Sequence, residues 1–181
     1  MKLLILDRDG VINIDSDDYI KSHEEWQPIP GSLQAIARAT KAGFTIAVAT
    51  NQSGVGRGLY SLIDLANIHA RMIEAIEDEG GHIEMIAFCP HTPEDLCECR
   101  KPKPGLLKRI SKELEIGLDG VPVIGDSKRD MEAARAVNAR PMLVKTGCGL
   151  QELEKYPDLA ELEIHADLAA AIDALVLERH D

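Results

Sequence analysis

Short apolar runs alternate with longer helical patterns along this chain, and this alternation constrains the fold more than any other feature. Each run is bounded by polar residues, glycine or proline, as expected for strands buried in a sheet. Five runs have this character: Leu3–Leu6, Phe44–Ala49, Met85–Phe88, Val121–Ile124 and Pro141–Val144. Because strands that alternate with helices form βαβ units, the pattern predicts an α/β fold, a Rossmann-like doubly wound parallel sheet.

The size, composition and charge of the chain exclude several classes of protein. With 181 residues, 45% of them hydrophobic, we expect one compact domain over residues 1–181. The 31 acidic and 20 basic side chains give a net charge of -11, which argues against a nucleic-acid partner. The run Leu3–Leu6 is too short for a signal peptide, and no stretch approaches the roughly 20 apolar residues of a membrane span. We therefore expect a cytoplasmic monomer with no membrane partner.

Polar sequence follows four of the predicted strands. The segments are DRDG at 7–10, TNQSG at 50–54, CPH from 89 onward and GDSKRD at 125–130. Because ligands bind at the carboxyl ends of parallel strands, these segments form the candidate site. Its acidic members include Asp7, Asp9 and Asp126. Aspartates after strands also serve as helix caps or turn formers, but four matching segments favour a functional site.

Carboxylates at these positions suit phosphoryl transfer. Mg²⁺ prefers oxygen ligands, and we expect Asp7, Asp9 and Asp126 to supply them. Asp7 can attack phosphorus and form an aspartyl-phosphate, while Asp9, two residues later, can act as general acid and base. The Thr50 hydroxyl and a lysine are suitable donors to the transferred group.

Three of the four cysteines and one histidine fall within eleven residues, in the spacing C-x-H-x5-C-x-C. They offer the ligand types of a closed structural Zn²⁺ site, namely Cys89, His91, Cys97 and Cys99. We expect zinc to fix the loop 89–99 and thereby hold Arg100 and Lys101 at the edge of the sheet. Reduced, packed cysteines or a labile disulfide are the alternatives.

Candidate substrate contacts lie in the same segments. The residues with suitable polar groups are Asp15, Asp17, Tyr19, Thr50, Asn51, Gln52, Ser53, Arg100, Lys101 and Lys128. The first three can bind sugar hydroxyls, and residues 50–53 can surround the reacting phosphate. Arg100, with its planar fork of donors, can bind a second phosphate, as can Lys128. For Asp15, Asp17, Tyr19 and Lys128, a solvated loop is the alternative.

The four segments DRDG, TNQSG, KPKPG and GDSKRD resemble the motifs of the haloacid dehalogenase superfamily. The resemblance covers residues 3 to 147. It implies a nucleophile at Asp7, an acid/base at Asp9, phosphoryl binding by Thr50 and Lys101, and Mg²⁺ binding by an acidic motif. That motif comprises Asp126 and, more weakly, Asp130. Many members carry an inserted cap domain. Residues 11–30 and 51–100 leave no room for one, so we expect a capless site open to sugar-sized substrates.

The cysteine loop, CRKPKPG, DRDGVIN and TNQSGVGRG resemble one branch of this superfamily in particular. That branch removes the 7-phosphate of D-glycero-D-manno-heptose 1,7-bisphosphate in the synthesis of bacterial lipopolysaccharide precursors. Three alternatives stay open: a histidinol-phosphate phosphatase, a nucleic-acid 3′-phosphatase, and an inactive binding module stabilised by zinc. The cations Arg100, Lys101, Lys103 and Lys128 favour a bisphosphate, and the intact catalytic set argues against an inactive module.

Overall fold

The computed structural model describes residues 2–178 and is built on a six-stranded sheet whose neighbouring strands all pair in parallel. The strands are β1 (Lys2–Leu6), β2 (Phe44–Asn51), β3 (Met85–Cys89), β4 (Pro122–Gly125), β5 (Arg140–Val144) and β6 (Glu163–His165). Their order in the sheet is β3-β2-β1-β4-β5-β6. This order confirms the predicted doubly wound α/β fold.

Helices connect the strands and cover both faces of the sheet. Within residues 2–178 they are α1 (Ser32–Lys41), α2 (Ser53–Gly56), α3 (Leu62–Asp78), α4 (Gly105–Leu114), α5 (Lys128–Arg135), α6 (Gly149–Lys155) and α7 (Leu168–Leu177). Capping boxes begin two of these helices, with Ser61 and Asp64 at the start of α3 and Ser127 and Asp130 at the start of α5. These reciprocal bonds satisfy backbone N–H groups that the first turn of a helix leaves free.

The two-residue period of the strands divides the core into two layers. Leu4 and Leu6 of β1 pack with α1, α3 and α7, whereas Leu3 and Ile5 pack on the opposite face with α4 and α5. All four side chains are buried. Because both faces are covered, the strands read as continuous apolar runs rather than as alternating ones, which is why they stand out in the sequence.

One strand was absent from the sequence prediction. β6 has only three residues, and all three are partly exposed. It pairs with β5, and Arg140 of β5 donates to the Glu163 carboxylate at 2.7 Å. A short polar strand of this kind carries no apolar run, so the prediction of five strands was incomplete.

From β1 the chain first adds strands on one side of the sheet and then, beginning with β4, adds them on the other side. β2 and β3 lie on one side of the boundary between β1 and β4, and β5 and β6 lie on the other. Asp7 directly follows β1, and its backbone N–H donates to the carbonyl of Ile124 in β4 at 2.9 Å. The carboxyl ends of β1 and β4 therefore adjoin, and a crevice at such a point is where open α/β sheets bind ligands.

No separate domain interrupts the described chain between β1 and α1. Residues 7–31 form turns held by isolated bridges from Asn13 to Asp9 and to Pro28. This agrees with the expected capless arrangement. Among residues 2–178, no helix has the length and apolar character needed to cross a membrane.

Candidate active site

Lys101 is buried at the carboxyl ends of the strands and bonds to β2, to the residue that follows β1 and to α5. Its ammonium group donates to Asp7 Oδ1 at 3.0 Å, to Asp130 Oδ1 at 2.6 Å and to the carbonyl of Ala49 at 2.8 Å. Burial opposes a charged lysine, but the two carboxylates outweigh it and raise the pKa of Lys101. The lysine therefore keeps its positive charge beside Asp7, as its predicted role requires.

Three carboxylates gather around this lysine. Oxygen atoms of Asp7, Asp126 and Asp130 lie within 4.8 Å of one another. Burial, reinforced by the Asp130 carboxylate, raises the pKa of Asp7 to about 7. Burial, reinforced by Asp7, raises the pKa of Asp126 to about 9. One ammonium is too little positive charge for three buried carboxylates, and a divalent cation with oxygen ligands fits this donor set.

Two glycines leave room for the Asp126 carboxylate. A Cβ atom at Gly10 or at Gly147 would collide with Asp126 Oδ2, and both glycines have positive φ angles, of 81° and 58°. The backbone N–H of Cys148 donates to the same oxygen at 2.8 Å. Asp126 is thus fixed by backbone on two sides, which explains why DRDG ends in glycine.

Asp9 is held separately from the three clustered carboxylates. Its oxygens accept bonds from Arg8 at 2.9–3.1 Å, from Asn13 at 2.9 Å and from Gln52 at 2.9 Å. Burial acts to raise the pKa of Asp9, but the Arg8 guanidinium and these bonds overcome it and lower that pKa. Among the described residues, the structure does not group the Asp9 carboxylate with those of Asp7 and Asp126.

The end of β2 and the residues that follow it support Asp7 and Asp9. Thr50 is buried, and its hydroxyl accepts from Gln52 Nε2 at 2.9 Å. Asn51 bonds both backbone groups of Lys101, and Gln52 bonds Asp9. Ser53 opens α2 and lines the cavity above the site. Asn51 and Gln52, predicted as substrate contacts, thus bond Lys101 and Asp9, two of the predicted catalytic residues.

A cavity of 290 Å³ opens above these residues. Asp7, Asp9, Lys101 and Asp126 form part of its lining. Three arginines also line it, namely Arg57, Arg100 and Arg129. Arg57 and Arg129 are exposed. The cavity therefore has carboxylates at its floor and arginine side chains around its opening.

The predicted sugar contacts divide into two groups. Asp15, Asp17 and Tyr19 line the cavity. Lys128 is not part of that lining. Its ammonium lies 4.3 Å from the centre of the Tyr156 ring and 3.5 Å from the Asp158 carboxylate. Lys128 begins α5, and its side chain runs toward this cation–π contact rather than toward the cavity.

The cysteine loop brings its four predicted ligands together. The sulfur atoms of Cys89, Cys97 and Cys99 lie 3.0–3.6 Å apart, and His91 Nδ1 lies 3.2 Å from Cys99 Sγ. All three cysteines are free thiols. Zn–S bonds of about 2.3 Å in a tetrahedron place sulfurs roughly 3.8 Å apart, close to this spacing. The backbone N–H of Arg100 points at Cys97 Sγ at 3.4 Å, so the cluster leads directly into Arg100 and Lys101.

Comparison with known proteins agrees with this geometry. Residues 2–133 match the family model described as polynucleotide kinase 3 phosphatase, and residues 98–171 match the one described as HAD-hydrolase-like. A curated protein of Pseudomonas putida is 57% identical over 97% of this chain and 100% of its own length. It is named D-glycero-beta-D-manno-heptose-1,7-bisphosphate 7-phosphatase. The chain belongs to the haloacid dehalogenase-like phosphatase family.

Solved structures extend the comparison within this haloacid dehalogenase-like family. The D,D-heptose 1,7-bisphosphate phosphatase of Bordetella bronchiseptica, complexed with magnesium and phosphate, superposes with a TM-score of 0.95 at 47% identity. The alignment covers 98% of this chain and 99% of that one. The corresponding Burkholderia thailandensis enzyme gives a TM-score of 0.75 at 38% identity, over 97% and 99% of the two chains.

Sequence reasoning missed several residues of this haloacid dehalogenase-like site. The cavity is also lined by Arg57, Tyr60 and Arg129. The Arg8 guanidinium donates hydrogen bonds to Asp9. Arg57 and Arg129 fall within the quoted segments TNQSGVGRG and GDSKRD, so their position was a usable signal. Arg8 also falls within such a segment, DRDG, but only the folded chain shows that its side chain is fully buried and bonded to Asp9.

Proposed function

We propose that this chain is a Mg²⁺-dependent phosphatase that removes the 7-phosphate of D-glycero-D-manno-heptose 1,7-bisphosphate. The observation that carries the proposal is the placement of Lys101 between Asp7 and Asp130, with Asp126 beside them. The names of relatives that match along nearly their whole length supply the substrate. Those relatives are named for the β-anomer, so we expect this chain to cleave the β-anomer faster than the α-anomer.

Asp7 is the proposed nucleophile. Its Oδ1 accepts bonds from Lys101 and from the backbone N–H of Arg8, whereas Oδ2 has no hydrogen bond among the described residues. An Asp7 oxygen attacks phosphorus, and the bond from phosphorus to the sugar C7 oxygen breaks. The C7 oxygen takes a proton from Asp9, which leaves heptose 1-phosphate and an aspartyl-phosphate on Asp7.

Asp9 then acts in the reverse direction. It takes a proton from water as the water oxygen attacks phosphorus, and the bond between Asp7 and phosphorus breaks. Inorganic phosphate leaves, and Asp9 regains the proton that it gave up in the first step. The lowered pKa of Asp9 belongs to the ligand-free site. A phosphoryl dianion beside it raises that pKa again by charge repulsion, which favours the acid form when substrate is bound.

The residues that would hold Mg²⁺ are Asp7 and Asp126, with Asp130 behind them. When bound, the ion supplies positive charge against the phosphoryl oxygens and the buried carboxylates. Asp130 also accepts from Ser127 and Lys101, so its own role is to orient the lysine. We assign Asp9 to acid/base chemistry rather than to ion binding through its carboxylate, because Arg8, Asn13 and Gln52 already bond it.

Arg57, Arg100 and Arg129 are the proposed ligands of the second phosphate. They line the same cavity as Asp7, in a chain of net charge -11. Guanidinium groups bind phosphate oxygens bidentately, whereas a cationic histidinol group would be repelled. This favours a bisphosphate over histidinol phosphate. We assign no phosphate contact to Lys103 or Lys128, because Lys103 pairs with Glu98 and Lys128 pairs with Asp158.

The four-residue cluster of Cys89, His91, Cys97 and Cys99 is the proposed binding site of Zn²⁺. The donor set and the spacing of its atoms support the assignment. A closed four-ligand site leaves no open position for chemistry, so its proposed role is structural. A monomeric, cytoplasmic, single-domain protein remains the expected form, and sedimentation of the purified chain tests the monomer.

A substrate panel tests the proposed function. Phosphate release is measured with both anomers of heptose 1,7-bisphosphate, histidinol phosphate and a 3′-phosphorylated oligonucleotide, each with Mg²⁺ and with EDTA. We expect the β-anomer to be cleaved fastest and EDTA to abolish turnover. Faster cleavage of histidinol phosphate or of the oligonucleotide would overturn the substrate assignment, and full activity in EDTA would overturn the Mg²⁺ requirement. Replacing Arg129 by alanine should raise KM for the bisphosphate but not for p-nitrophenyl phosphate.

A further inference from the structure

Asp9 is linked through Arg8 to a buried histidine on α3. The Arg8 guanidinium bonds Asp9 through Nε and Nη2, and its Nη1 lies 3.2 Å from His69 Nε2. The Arg8 side chain is fully buried, and His69 is only 8% exposed. We propose that His69 is a positioning residue, which orients Asp9 toward the leaving oxygen by holding the Arg8 guanidinium in place. The inference rests on the proposed phosphatase function.

Hydrogen-bond chemistry fixes the direction of the contact. Arginine has five N–H donors and no acceptor, so His69 Nε2 must accept from Arg8. The ring is therefore neutral, with its proton on Nδ1. Burial, with the nearby Arg8 charge, lowers the pKa of His69 to about 3, which agrees with a neutral acceptor.

The loss of this acceptor would disturb Asp9 rather than leave it in place. Arg8 already directs Nε and Nη2 to the two Asp9 oxygens. Without His69, the Nη1 donors of the fully buried Arg8 side chain would have no acceptor among the described residues, and an unpaired buried donor is unfavourable. The guanidinium would rotate to recover a bond and would carry the Asp9 carboxylate with it.

Simple packing is the competing explanation for His69. Its ring lies 6.1 Å from that of Phe88, at a tilt of 57°. A packing role predicts equal loss of activity on every phosphate ester when His69 is replaced. A positioning role predicts a loss of kcat/KM that depends on the leaving group, because only a poor leaving group needs the Asp9 proton when the aspartyl-phosphate forms.

The leaving-group comparison tests the proposal. Heptose 1,7-bisphosphate releases an alkoxide that requires a proton, whereas p-nitrophenyl phosphate releases a stable phenolate that does not. The variants are His69→Leu, which has no acceptor, His69→Gln, which retains one, and Arg8→Lys, which keeps the charge but loses the fork. We expect His69→Leu and Arg8→Lys to lose on the order of 10- to 100-fold in kcat/KM on the sugar ester and only a few-fold on the aryl ester, because kcat/KM reports formation of the aspartyl-phosphate and not its later hydrolysis. His69→Gln should restore a ratio close to that of the wild type.

Two results would overturn the proposal. Equal losses on both esters for His69→Leu would assign His69 to packing, and an unchanged ratio for Arg8→Lys would remove Arg8 from the chain of contacts. If His69→Leu does not fold, Arg8→Lys decides alone. In wild-type protein, a ¹⁵N NMR spectrum should show the His69 proton on Nδ1, and a proton on Nε2 would contradict the geometry. If the wild type cleaves the aryl ester but not the heptose ester, the proposed substrate fails, and the comparison proceeds with an alkyl phosphate that is cleaved.

Discussion

The side-chain amide of Asn51 bonds both backbone groups of Lys101. Asn51 Oδ1 accepts from the Lys101 N–H at 3.0 Å, and Asn51 Nδ2 donates to the Lys101 carbonyl at 3.1 Å. The end of β2 therefore fixes Lys101, which bonds the proposed nucleophile Asp7, although Asn51 and Lys101 lie fifty positions apart.

Replacing Asn51 should weaken catalysis through Lys101. In Asn51→Ala, both backbone groups of Lys101 lose a partner, at a cost of about 1–3 kcal/mol. We expect kcat/KM to fall roughly 10- to 100-fold, since each 1.4 kcal/mol is about tenfold in rate. Asn51→Asp keeps the acceptor for the N–H and should fall less. Phosphate release at limiting substrate measures both, and an alanine variant with wild-type kcat/KM would remove the role given to this contact.

Asp7→Asn should abolish turnover without unfolding the chain. The amide is not a nucleophile, so we expect a loss on the order of 10⁴-fold or more in kcat. Lys101 retains Asp130 as an ionic partner at 2.6 Å, so the buried ammonium is not left alone. Steady-state phosphate release and thermal unfolding are the measurements. Turnover at the wild-type rate would show that another residue attacks phosphorus.

Gly147→Ala should weaken the response to Mg²⁺. A Cβ there would collide with Asp126 Oδ2 and with Gly10, so the carboxylate must move. We expect the Mg²⁺ concentration for half-maximal activity to rise about tenfold or more, as when the supporting contacts of a metal ligand are lost. Gly120→Ala is the matched control. Its φ is 68°, but nothing lies within 4 Å, so it should cost only about 1–2 kcal/mol of strain and leave the Mg²⁺ response unchanged.

Loss of the four-residue cluster should reduce stability and activity together. We expect about one zinc per chain by elemental analysis. Cys97→Ser should reduce zinc content, lower Tm and reduce kcat, because the cluster precedes Arg100 and Lys101 directly. Cys148→Ser, outside the cluster, should keep its zinc. A wild-type preparation that contains no zinc would remove the proposed structural ion.

His69 should make folding sensitive to acid. Its pKa is about 3 in the folded protein against an ordinary 6.5, so between these values the unfolded chain binds a proton that the folded chain does not. The stability linked to His69 is thus fully present above pH 6.5 and is lost as the pH falls toward 3. We expect His69→Gln to reduce the drop in free energy of unfolding between pH 6.5 and about pH 4.5 by roughly 2 kcal/mol. Denaturant titrations at both pH values measure this, and equal drops in the two proteins would contradict it.

The sequence predicted what depends on local pattern and missed what depends on contacts between distant residues. Buried strands in a covered parallel sheet are apolar throughout, so β1 to β5 were visible, while the polar β6 was not. Asp7, Lys101 and Asp126 follow strand ends or a motif and were predicted together. The contact between Arg8 and His69 was not, because it joins positions 61 residues apart. The direction of the Lys128 side chain was also missed, because it depends on contact with the Tyr156 ring, which is distant in sequence.

The segment between His91 and Cys97 has a distinct consequence for engineering and for evolution. It is a single exposed 3₁₀ turn, Pro93–Asp95, ending at Leu96, whose side chain is 83% exposed. Both of its ends are tied to the same cluster of ligand atoms. Extra residues inserted there would lengthen the rim beside Arg57 and leave the register of Arg100 and Lys101 unchanged. Natural divergence can therefore change the length of this turn without displacing the four ligand residues, and the turn is a suitable place to graft a peptide tag.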